Sequence, residues 1–125
     1  MERTELLALV DRYVAVWNEQ DAGRRRAGVA ALWAEDGAHL TPALEARGHA
    51  AIEARIAAAH ERFVRSGFTF APLDNIDGHH RTVKFGWVMR PADGAAVAAG
   101  SDFLMLGDDG RIRFDYQFTE PTPSR

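Results

Sequence analysis

Within GAHLTP, His39 and Thr41 alternate just ahead of Pro42. In a strand both side chains would share one face, because strand side chains alternate with period two. A histidine, with an ordinary pKa near ~6.5, can take or give a proton near neutrality; a threonine cannot. The same histidine would serve equally as a hydrogen-bonded core residue. In GSDFLML, Asp102 has the strand parity of Leu104 and Leu106. An acid in such company is desolvated, and the raised pKa suits a general acid or a neutral donor, unless a nearby His39 holds it ionised. The alternative is a bend at Gly100 that leaves Asp102 in water. In RIRFDYQF, Asp115 and Gln117 alternate with Phe114, Tyr116 and Phe118. Either set can face inward, and the pattern leaves the two phases open. Tyr13 and Trp17 stand one helical turn apart, and a buried Tyr13 must find a partner for its hydroxyl.

Other chemistries are disfavoured. The five histidines are His39, His49, His60, His79 and His80, and no pair has the i, i+4 helical spacing with an adjacent glutamate that marks a zinc site. There is no cysteine, hence no disulfide, thiol nucleophile or Cys-based metal site. GDDGR reads as a hairpin turn and no phosphate-binding glycine motif is present, so neither a metal nor a nucleotide cofactor is expected. A formal net charge of -3 and a pI near 5.9 argue against a nucleic-acid partner. The short run Arg24, Arg25 and Arg26 reads as a solvated face. No apolar run approaches the roughly 20 residues of a membrane span, and MERTELLALVDRY lacks the apolar block of a signal peptide, so the expected compartment is the cytoplasm. Arginine and alanine abundance, with Lys84 the sole lysine, hints at a GC-rich bacterial genome.

The elements that must position these residues are legible in outline. A length of 125 residues suits one domain, taken as 1–120 with a frayed tail at 121–125. Leu6, Leu9, Val10, Tyr13, Val14 and Trp17 recur at spacings of three and four, which predicts an amphipathic helix over 2–20. A second helix is expected over 24–34, a turn at EDG (35–37) and a short strand over 38–42. After Gly48, an alanine-rich helix should bury Ile52, Ile56, Ala59 and Phe63 and stop at Gly67. Four strand-like segments follow, separated by DGHH, PADG and GDDG, whose Asp-Gly pairs suit tight turns. In RTVKFGWVMRP, Val83, Phe85, Trp87 and Met89 should face the helices, with Lys84, Val88 and Arg90 outside. Helices first and antiparallel strands behind them make an α+β domain.

The order of these elements, with RYVAVWNEQD, VAALWAEDGAHLTP, ARGHAAIEARI and SDFLMLGDDGRIRFDYQF, resembles the nuclear transport factor 2-like superfamily, especially its SnoaL-like polyketide cyclase and ketosteroid isomerase branches. The resemblance covers nearly the whole chain. It implies a cone-shaped roll, three helices closing over a strongly curved antiparallel sheet, with a small-molecule pocket between them. It matches Tyr13 to the tyrosine that in ketosteroid isomerases donates to the substrate oxygen, and Asp102 to the carboxylic acid beside it, an acid kept neutral by an apolar site. Thr41 stands where those isomerases carry their proton-shuttling aspartate, so the steroid mechanism is not expected here. His39, which the resemblance turns into the cone with Thr41, is the candidate replacement. SnoaL-like members often carry His-Trp-Asp on the last strand, where this chain has Asp115, Tyr116 and Gln117.

The resemblance therefore implies a cofactor-independent acid–base enzyme of isomerase, cyclase or epoxide hydrolase type, with Tyr13, His39 and Asp102 catalytic. Trp17, Thr41, Phe85, Trp87, Asp115 and Gln117 are the expected pocket residues, and the aromatic ones suit a flat apolar ligand. Trp33 is assigned to core or pocket wall. The rivals are a non-catalytic binding protein and an assembly module of the same fold; a homodimer is expected in every case.

Overall fold

The computed structural model describes residues 1–123, so the last two residues of the expected tail lie outside the described residues. Helix α1, Arg3–Asn18, buries the stripe its spacing predicts, from Leu6 and Leu9 through Tyr13 to Trp17, with Val16 added. The Glu5 carboxylate reaches back to the Glu2 backbone N–H at 3.1 Å, satisfying one of the donors a helix start leaves free. Helix α2, Ala22–Leu32, starts two residues before its expected bound, because Asp21 caps it by accepting from the Arg24 N–H at 2.8 Å.

Arg25 departs from the solvated reading of its run. It is buried, and its Nη1 donates to the carbonyls of Glu19 and Gln20 at 2.9 and 3.0 Å, which follow α1 and need a donor. Arg24 and Arg26 are exposed as expected.

Strand β1 is Trp33–Thr41, longer than expected, and takes in the EDG sequence read as a turn. The pairing slips between Trp33 and Ala38, so the two acids and Gly37 form a bulge instead of a reversal. Past Pro42 the chain doubles back as β2, Leu44–Arg47, which pairs antiparallel with β1. Only Ala46 of its four residues is buried, too short a pattern to read beforehand. Helix α3, His49–Arg62, buries Ile52, Ile56 and Ala59, and a short 3₁₀ turn leads to Gly67 in the left-handed region, φ 98°.

The remaining strands are β3, Phe68–Pro72; β4, Thr82–Pro91; β5, Ala98–Leu106; and β6, Ile112–Glu120. The sheet order is β2-β1-β6-β5-β4-β3, and the sheet is not closed. It is antiparallel except where β1 runs parallel to β6, so the three helices cover a mixed sheet in an α+β domain. The expected left-handed residue appears at Gly110 in GDDG, φ 81°, whereas at DGHH the positive φ falls on its last residue, His80, and on Arg81 just after it.

The core lies between helices and sheet, where Val10, Trp33, Ile52, Ile56, Val83, Leu104 and Ile112 are wholly buried. Each such aliphatic side chain contributes roughly 1.5–3 kcal/mol of transfer free energy. On the outer face Lys84 and Arg90 are exposed as expected, but Val88 is buried, in a hollow shared with Leu73 and Gly94. Among the described residues, no helix is long and apolar enough to cross a membrane.

Candidate active site

Strand register assembles the polar cluster. His39 stands opposite Asp115 across the parallel β1–β6 pair, and on the other side of β6 Asp115 faces Leu104 and Gln117 faces Asp102. The phase left open in RIRFDYQF is decided by a register slip between Met105 and Leu106, after which Asp115 is fully buried and Tyr116 and Phe118 point outward. Asp102 keeps the parity of Leu104; at 1% exposure it is not solvated by a bend at Gly100. Tyr13 descends from α1 onto both acids, its hydroxyl 2.9 Å from Asp102 Oδ2 and 2.6 Å from Asp115 Oδ2. His39 Nδ1 lies 2.8 Å from that same Asp115 oxygen.

Gly100 plays a steric part in this geometry. It pairs with Trp87, and a Cβ there would meet the indole Cζ2 at 2.3 Å. Without one, the indole lies against β5, and its Nε1–H donates to Asp102 Oδ1 at 2.7 Å.

Burial governs the charges. It pushes the Asp102 carboxyl up to about 9, with the Asp115 charge adding to the effect. Burial also raises Asp115, to about 6, against the lowering effect of hydrogen bonds from Asp102 and Tyr13. It lowers His39 to about 4, opposed by Asp102 and assisted by the Arg55 charge. The Tyr13 hydroxyl is raised well above its ordinary value, by burial first and the two acids second. Near neutral pH the cluster therefore holds a protonated Asp102, an ionised Asp115, a neutral His39 and a neutral Tyr13.

Hydrogen counting then orders the chain of bonds. An indole N–H only donates, so Asp102 Oδ1 accepts and the acid proton sits on Oδ2. Tyr13 has one hydrogen for two acids: it accepts from Asp102 and donates to Asp115, the shorter contact. His39 donates through Nδ1 to the same Asp115 oxygen, which leaves His39 Nε2 and Asp115 Oδ1 buried without partners.

A cavity of about 150 Å³ opens beside this chain, walled by Tyr13, Trp17, Phe70, Phe85, Trp87 and Met89, with Asp102, Gln117 and Arg55 as its polar members. Six of the nine residues expected at the site line it: Tyr13, Trp17, Phe85, Trp87, Asp102 and Gln117. His39 and Asp115 do not. His39 is fully buried against Trp17, ring centroids 5.3 Å apart, and Trp17 is the one that meets the cavity. Thr41 is placed elsewhere: two residues along β1, roughly 6.6 Å, bring it to the rim of a second hollow with Ala46, Ala54 and Ala58, which shares Arg55 with the first. Trp33 is fully buried in the core.

His39, Asp102 and Asp115 also offer ligand atoms within 4.8 Å of one another, the composition of a small metal-binding set. Asp102 Oδ1 and Asp115 Oδ2 accept hydrogen bonds from Trp87, Tyr13 and His39, whereas His39 Nε2 and Asp115 Oδ1 have no partner. Two features escaped sequence reasoning. The indole of Trp87 is a donor as well as a wall, and its signal is the glycine opposite it. Arg55, which interrupts the apolar stripe of α3, lies at the cavity with its guanidinium carbon 5.6 Å from the Trp17 ring centroid.

The SnoaL-like domain profile matches residues 10–114, and the chain belongs to that family. A crystal structure from Agrobacterium tumefaciens, described as a candidate isomerase of the SnoaL-like family, is 35% identical with a TM-score of 0.87, covering 94% of this chain and 99% of that one. A candidate polyketide cyclase from Sinorhizobium meliloti (15% identity, TM-score 0.70, covering 94% and 99%) shares the fold. So does a de novo designed protein with a curved β-sheet (11% identity, TM-score 0.73, covering 97% and 89%). No curated protein matches the chain significantly.

Proposed function

We propose that the chain is a cofactor-independent acid–base enzyme acting on an apolar, oxygen-bearing small molecule. The observation that carries this reading is the buried hydrogen-bond chain in which a protonated Asp102 lines the cavity beside Tyr13. A substrate oxygen entering beside Asp102 meets a carboxylic acid that holds its proton at neutral pH. As charge develops on that oxygen, the Asp102 Oδ2 proton leaves its bond to the Tyr13 oxygen and passes to the substrate, and the Tyr13 hydroxyl turns its hydrogen from Asp115 to the carboxylate left on Asp102; donors held in place in a dry site are worth far more than in water. Asp115 fixes the Tyr13 hydroxyl and His39 fixes Asp115, so His39 acts as a positioning residue. Isomerisation, ring closure and epoxide opening all place charge on a substrate oxygen and share this outline.

A carrier that binds without turnover is favoured by one observation: the free lone pairs of His39 Nε2 and Asp115 Oδ1 are sealed behind the wall, away from a ligand. The deciding experiment incubates the protein with ring ketones, lactones and epoxides and follows both binding and turnover by NMR. The enzyme reading expects turnover that falls about 10²–10³-fold in Asp102→Asn, which loses the proton, and in Tyr13→Phe, which loses the donor to the carboxylate that forms, the usual cost of one lost charge-stabilising donor. Ligands bound but unchanged across the panel would establish the carrier instead.

A further inference from the structure

Among the described residues, Arg55 is the single cation walling the cavity. It shares a face of α3 with Ala59, four residues on, and Ala59 and Phe63, the residue that follows the helix, also line the cavity. Arg26, Arg47, Arg65 and Arg113 each lie against a carboxylate, at 3.2, 2.5, 2.8 and 3.6 Å. Arg55 lies against none among the described residues; its Nε is buried without a partner, and its guanidinium rests over Trp17. A half-buried cation left unpaired in an aromatic wall is costly, and an anion arriving there is correspondingly favoured.

The opposite charge sits behind Tyr13, where Asp115 is ionised, so the site has a negative end and a positive end. A ligand acid is repelled by the first and received by the second. The space is that of one ring: a protein cavity of about 150 Å³ has been seen to take a benzene.

We infer that the ligand is a ring-sized apolar molecule carrying a carboxylate, which the terminal nitrogens of Arg55 hold while the ring fills the cavity beside Trp17. Guanidinium suits this task because its planar fork matches a carboxylate in two parallel hydrogen bonds. The inference rests on the cavity being the ligand site, and it adds the charge of the ligand and the residue that selects it.

The test compares phenylacetate with phenylacetamide, the same ring with and without the charge, by ligand-observed NMR titration. Wild type should bind the acid about tenfold more tightly, the scale of a charge-assisted hydrogen bond. Arg55→Gln should erase that preference, acid and amide then binding equally, and Arg55→Lys should keep a reduced preference. Arg65→Gln, a surface change, should leave the preference intact. Equal binding of acid and amide by wild type overturns this inference and leaves the cavity a ligand site, as does an acid preference that survives Arg55→Gln. Failure of both probes to bind at millimolar concentration overturns the ligand-site reading together with the inference. The wild-type comparison needs no folded variant.

Discussion

Replacing Asp102 with asparagine should remove a pH dependence of stability that the buried acid imposes. Folded Asp102 holds its proton up to about 9, whereas its ordinary value is 3.8. Between those limits the native state binds one proton more than the unfolded chain, so stability falls as pH rises. His39 runs the other way: lowered to about 4, it costs stability only as pH falls below its ordinary 6.5. Asp115, raised to about 6, has finished titrating by neutrality. Above pH 7 the Asp102 proton is left to act alone among these three. One proton corresponds to about 1.4 kcal/mol per pH unit, so urea denaturation at constant ionic strength should show a loss of about 2 kcal/mol from pH 7 to 8.5. Asparagine retains an oxygen for the Trp87 N–H and an N–H for Tyr13, so Asp102→Asn should fold and show that loss abolished. A wild-type stability flat across this window, or an equal slope in the variant, would refute the protonated state from which the mechanism starts.

Three further outcomes are expected. Gly100→Ala sets a Cβ 2.3 Å from Trp87 Cζ2 and must push the indole off Asp102; a loss of about 1–3 kcal/mol in urea melts, with a changed tryptophan emission, is the expected result. Arg25→Ala deprives the Glu19 and Gln20 carbonyls of their donor and should cost about 1–3 kcal/mol in the same assay, whereas Arg24→Ala should change it by less than about 0.5 kcal/mol. His39→Leu removes a donor from Asp115 while keeping an apolar side chain behind Trp17; kcat of any substrate found should fall more than KM rises, and the acid limb of its pH profile should move up as Asp115 becomes easier to protonate.

The chain's own residues determined more of the fold than of the site. The α1 stripe from Leu6 to Trp17 and the alternation of Val83, Phe85 and Met89 are local periodicities, and local periodicity survives without knowing what it packs against. The polar character of Asp102 among leucines was legible for the same reason. Long-range pairing was not. Whether Asp115 or Tyr116 faces inward depends on a one-residue slip between β5 and β6, and such a slip exchanges the two faces of a strand. His39 meets Asp115 across 76 residues of chain, through a parallel pairing that no hairpin turn announces. His39 and Thr41 share a strand face, yet one is sealed behind Trp17 and the other borders a different hollow. Parity gives direction along a strand, and only the helices laid over the sheet decide what each position meets.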